Sequence, residues 1–212
     1  MNDTYYEIYN RISQIGKRYS AESRKLAPAE VTKIIRRQLV SHLFNIRTIK
    51  DNIVSPDMIV VSGIYDCYDD SQHLPCMQLS LNFHPGQDVY FSNLINWEQL
   101  AFDVAETAGH EMVHRKQHHE KRPGREYKSK EIDPIKKENQ EYLGHEIEIE
   151  AYGFSIAFES WHKDIPYEVC PMFVTYLETF SNDNKVIIKL QKYISKYLKE
   201  LELSLCKIKK NN

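Results

Sequence analysis

The segment AGHEMVHRKQ, positions 108 to 117, constrains this chain more than any other stretch. His110 and His114 stand four residues apart, and Glu111 follows the first of them. On an α-helix each residue advances about 100°, so the two imidazoles are offset by only about 40° and project side by side, one turn apart. Two ring nitrogens held in that way can reach one cation together. Glu111 falls about 100° from His110 and about 60° from His114, beside such a cation rather than on it. The bland reading is a surface helix that happens to carry unrelated His and Glu.

The flanks predict a helix from Trp97 to about Gln117. Asn96 is an N-cap residue type with Gln99 three positions on, and Ile95 and Leu100 occupy the positions of a hydrophobic staple. The breaker KRPG ends the segment. Trp97, Ala101, Val104, Ala105, Ala108 and Met112 project about 120° to 220° away from His110, an apolar stripe suited to the core. Asp103, Thr107 and His118 line the histidine side, so the helix is expected to be amphipathic with its histidines on a cleft.

A zinc site of this kind needs a third protein ligand and leaves one position for water. A third histidine ten residues after the first is absent, because position 120 is Glu. His118 lies too far along the helix axis to share one ion easily. The segment EIEIEAYGFSIA supplies Glu146, Glu148 and Glu150, of which only one can point squarely at the site.

Around this core the chain reads as α+β and mainly helical. The first fifty residues predict two helices. One carries Tyr5, Ile8, Ile12, Ile15 and Tyr19; the other, entered at Pro28, carries Val31, Ile34, Ile35, Leu39, Leu43 and Phe44. Between 55 and 92, DMIVVSGIYDCY, PCMQLSLNF and VYFS predict three short antiparallel strands, with the acidic YDCYDD as a solvated hairpin tip. Residues 115 to 140 are polar and charged and predict a long surface connection. A second helix follows around GHEIEIEAYGFSIAFESW, and the last third is helical again. There Ile187, Leu190, Ile194, Tyr197 and Leu201 form a narrow seam, fit for packing on the domain or for self-association or a protein partner.

At 212 residues the chain fits a single domain, divided as N-terminal helices over 1–50, a metal-binding core over 55–165 and a helical extension over 166–212. A formal charge of −2 gives no global drive toward nucleic acid or an anionic membrane. The basic run HRKQHHEKRPGREYKSK holds seven Lys or Arg, but interleaved Glu120 and Glu126 and the lack of an aromatic platform argue against a nucleic-acid surface. The opening residues lack an apolar segment and a cleavage site, and no apolar run is long enough for a membrane span. Cys67, Cys76, Cys170 and Cys206 are scattered without a CxxC pair. Together these predict a reduced, cytoplasmic setting. Cys67, His73 and Cys76 match none of the usual zinc spacings.

With His110-Glu111-Met112-Val113-His114, a charged connection and then Glu148-x-x-Ala151 on the page, the chain resembles the gluzincin type of zinc metallopeptidase over roughly residues 75 to 160. Small proteins of that type occur in bacteria and their viruses. The resemblance implies a zincin-like domain with His110, His114 and Glu148 holding Zn²⁺ and Glu111 as general base in hydrolysis of a peptide substrate. Glu150 is the second choice for the third ligand. It also implies an edge strand that pairs with the extended substrate, for which MQLSLNF or VYFS are the expected segments. One departure stands out. Several relatives place Asp four residues after the ligand Glu to steady a ligand histidine, and this chain has Tyr152 there. Tyr142, His145, Tyr152 and His162 are the candidates for stabilising the developing oxyanion. Two other readings remain open: a zinc-bearing structural or interaction protein with little activity, and a helical nucleic-acid-associated protein in which the motif is incidental.

Overall fold

The structure is a computed structural model. It describes residues 3–21, 26–39, 44–56, 58–66, 76–87, 97–122, 124–128 and 135–211. The fold is α+β, with seven α-helices and one three-stranded mixed sheet among the described residues. The chain forms two compact units, Asp3–Arg115 and Lys116–Asn212.

The first unit opens with α1 (Asp3–Ala21) and α2 (Pro28–Leu39). Tyr5, Ile8 and Ile12 of α1 are buried at the helical spacing their sequence positions dictate, as are Val31, Ile34, Ile35 and Leu39 of α2. The second helix ends earlier than its apolar stripe predicts. Phe44 does not continue α2; it begins β1 (Phe44–Lys50). Two polar ties hold this strand to the helix: Arg36 donates to the carbonyl of Ile46 at 2.6 Å, and Thr48 Oγ1 donates to Thr32 Oγ1 at 2.7 Å.

β2 (Ile59–Asp66) and β3 (Cys76–Phe83) pair antiparallel, with Gly63 opposite Leu79. The third strand of the sheet is β1, which runs parallel to β3 with Ile46 opposite Leu79. The sheet is therefore mixed, in the order β1-β3-β2, rather than the wholly antiparallel one expected. Met77, Leu79, Leu81 and Phe83 of β3 are buried on its inner face, as strand alternation requires. Because β3 is paired on both sides, MQLSLNF has no free edge to offer; among the described residues the outer strands are β1 and β2. The expected VYFS strand, the Asn96 cap, the Ile95 staple, the YDCYDD tip beyond Asp66, and Cys67 and His73 lie outside the described residues.

α3 (Trp97–His119) carries the HExxH segment and spans two residues more than predicted. Its first turn is anchored within the first unit. Glu98 accepts hydrogen bonds from Tyr9 (2.5 Å) and Ser13 (2.9 Å) and pairs with Lys17. Burial and the neighbouring Glu98 push the Tyr9 phenol up to about 12. Trp97 stacks on Tyr19. The helix is buried on more sides than an amphipathic one would be. Leu100, Phe102 and Val113 are enclosed along with Trp97, Ala101, Val104, Ala105 and Ala108 of the predicted stripe, whose last member, Met112, is only half-buried. The boundary between the two units falls inside α3, after Arg115.

In the second unit α4 (Lys137–Leu143) interrupts what the sequence presents as a polar connection. Gln140 and Leu143 are its buried residues, and Gln140 donates to the carbonyl of Thr179 at 2.9 Å. α5 (Glu146–Lys163), α6 (Pro171–Thr179) and α7 (Asn184–Asn211) complete the unit. The seam of α7 is used within the unit: Ile187, Leu190, Ile194, Tyr197 and Leu201 are all buried, and α7 packs on α5. Gly153 makes the approach of these helices close, since a methyl group there would lie 2.6 Å from Tyr193 Cβ. Among the described residues no helix is long and apolar enough to cross a membrane.

Candidate metal centre

His110 and His114 project from successive turns of α3, as the spacing demands, and their Nε2 atoms lie 3.2 Å apart. Two donors on a tetrahedral zinc with arms of about 2.0–2.1 Å are separated by about 3.3–3.4 Å. The imidazole pair thus already spans one edge of such a tetrahedron; without an ion the same separation permits one ring N–H to donate to the other ring. Glu148 lies in the first turn of α5, and one ligand atom from each of His110, His114 and Glu148 lies within 4.8 Å of the others, a group that could hold a metal ion. Two borderline nitrogens and one hard oxygen make a donor set that divalent first-row metals, zinc among them, accept.

His110 is 9 % exposed, Glu111 5 % and Glu148 9 %. On the histidine side of α3, His110 and Glu111 are buried, while Asp103, Thr107, His114 and His118 are half-buried.

The three alternating glutamates of α5 have separate fates, which helix geometry explains. Glu146 and Glu150 are one turn apart and share a face, while Glu148 sits about 160° from both. Glu146 pairs with Lys189 and, at 3.8 Å, with Arg125. Glu150 is only 2 % exposed and is fully engaged. Its Oε1 accepts from Lys196 (2.9 Å) and Tyr197 (3.2 Å), and its Oε2 from Gln117 (3.1 Å) and Arg122 (2.5 Å). Burial alone would raise this carboxyl. Hydrogen bonds from Gln117 and Lys196, with the charges of Lys196 and Arg122, outweigh burial and hold it below the usual carboxylate range.

Glu148 instead lies among phenols. Burial, a hydrogen bond with Tyr152 and the Glu148 carboxylate raise the Tyr142 phenol far above its ordinary value. Burial likewise raises Tyr176, with Tyr152 and Glu148 adding to it. The rings of Tyr142, Tyr152 and Tyr176 meet edge to face. Tyr152 is thus a member of a phenol cluster. Of the other oxyanion candidates, His162 stacks on Phe158 and His145 precedes the first turn of α5.

Sequence reasoning missed the Gln117–Arg122–Lys196–Tyr197 cage around Glu150, and with it the inward turn of Arg122, which looked like part of a solvated basic run. The only advance signal was charge: Glu146 and Glu150 on one face of α5, and Lys189 and Lys196 two turns apart on α7. Comparison of the chain with protein-family models, curated proteins and solved structures finds no match.

Proposed function

We propose that this protein is a zinc-dependent metallopeptidase. The observation that carries the reading is the convergence of His110, His114 and Glu148 within 4.8 Å, with Glu111 one residue from the first ligand. His110, His114 and Glu148 would hold the ion and leave a position for water. Bound zinc supplies a Lewis acid and brings the pKa of a water from about 15.7 to near 7. Glu111 takes the proton from the attacking water and passes it to the leaving amine. Its burial keeps bulk water away from that transfer. β2 supports a peptide as substrate. Among the described residues it is an outer strand of the sheet with Gly63 close against Glu111, so an extended chain added along it would run past the base. The Tyr142 hydroxyl, which neighbours Glu148, is the donor we assign to the developing oxyanion.

The test is a comparison of wild type with Glu111→Gln on a broad peptide library, alongside zinc analysis. One zinc per chain in both proteins, with cleavage by wild type alone, is the expected result. Equal behaviour of the two toward every peptide would sink the peptidase reading. A second reading is a zinc-stabilised structural or interaction protein. It is favoured by the enclosure of Glu111 and by the phenol standing at position 152, and that same equality with zinc present would establish it. A purified protein without stoichiometric metal would remove both.

A further inference from the structure

Gly63 lies in the middle of β2, opposite Leu79 of β3. Its φ is not positive, so backbone conformation does not call for glycine there. Inside a strand glycine packs nothing and costs conformational entropy, and it often marks a place where something else must come close. Here that something is Glu111. A methyl group on Gly63 would lie 2.6 Å from Glu111 Oε1, 2.7 Å from Glu111 Cγ and 2.7 Å from Thr107 Cγ2. Comfortable contacts between carbon atoms begin near 3.5 Å, so alanine requires a displacement of about 1 Å. Thr107 and Glu111 are one turn apart on α3 and face the strand together. The β-branched Thr107 is stiff, whereas Glu111 turns about several bonds, so Glu111 is the group that yields.

We infer that Gly63 is a positioning residue for Glu111: its missing side chain creates the slot that holds the general base against β2. The inference rests on the metallopeptidase reading, and Gly63 acts only through Glu111. It explains why an interior strand position carries a residue that weakens a strand.

The experiment is a double-mutant cycle of Gly63→Ala and Glu111→Asp, made in a Thr107→Ser background that removes the competing methyl group. Melting temperature is read on the metal-free proteins, and zinc content, kcat and KM on the zinc-loaded ones. Alone, Gly63→Ala is expected to lower the melting temperature by several degrees. It should reduce kcat about 100-fold, the scale of a 1 Å misplacement, with KM and zinc content unchanged. Glu111→Asp withdraws the carboxylate by one methylene. Adding Gly63→Ala to it should therefore cost much less, in both melting temperature and kcat, than Gly63→Ala alone. Simple additivity in the melting cycle, or a Gly63→Ala protein with the parent kcat, overturns the inference. If the parent cleaves no peptide, the metallopeptidase reading fails, and non-additive melting in the metal-free proteins still upholds the slot.

Discussion

Glu148 and Glu150 stand two residues apart on α5, both nearly inaccessible to water, yet their surroundings are opposite. Glu150 faces Lys196 and Arg122 and accepts four hydrogen bonds; Glu148 shares its space with the Tyr142 hydroxyl and the two imidazole nitrogens of α3. A carboxylate matched by cations is an internal brace, and its ligand capacity is spent. One placed among phenols and imidazoles has the neighbours with which a metal ion could be held. The difference is in what surrounds two carboxylates of the same helix: cations for Glu150, phenols and imidazoles for Glu148.

That contrast is open to attack from both ends. Glu148→Gln should cut zinc affinity by about 10³-fold, roughly 4 kcal/mol, more than the 10- to 100-fold loss typical of an outer partner. Isothermal titration of the metal-free protein with zinc measures this, and an affinity near that of wild type would dissolve the contrast. Glu150→Gln should do the reverse. Zinc binding stays intact while denaturant unfolding shows a loss of about 2 kcal/mol, because Lys196 and Arg122 lose their shared acceptor. The cost stays moderate since the side chains of both cations are 36 % exposed and regain water.

Acid titration sharpens the comparison further. The Glu150 carboxyl is lowered in the folded state, so the stability it contributes is present above the ordinary carboxylate value of about 4.3. That contribution drains away as pH falls through the lowered folded value. Wild type should therefore lose stability more steeply below about pH 4 than Glu150→Gln does, and parallel curves would contradict the brace. The smallest effect is expected from Tyr142→Phe, which removes one hydroxyl from Glu148. Zinc affinity should fall about 10-fold with little change in melting temperature.

Much of this arrangement was legible beforehand, for reasons specific to its parts. α3 was located by its capping-residue types and breaker, and the α7 seam by its three-four alternation. The opposition of Glu148 to its two neighbours follows from helix angle alone. β1 was not legible, because Leu39, Leu43 and Phe44 continue a helical stripe and a short apolar run does not declare its period. Its parallel partner lies more than thirty residues away, and no local pattern encodes that pairing. α4 was hidden because it buries only Gln140 and Leu143 in a run of charges. Enclosure of α3 on several sides was hidden too, since burial of polar His110 and Glu111 depends on what packs over them and not on their own hydropathy.

The chain has two tryptophans, and the division of the fold places one in each unit: Trp97 at the start of α3, stacked on Tyr19, and Trp161 near the end of α5, beside Phe158. The molecule thus contains a separate native fluorophore for each half. Replacing either indole by phenylalanine leaves an emission spectrum that reports one half alone, so a single thermal ramp on each variant reveals whether the halves melt as one cooperative body or in sequence.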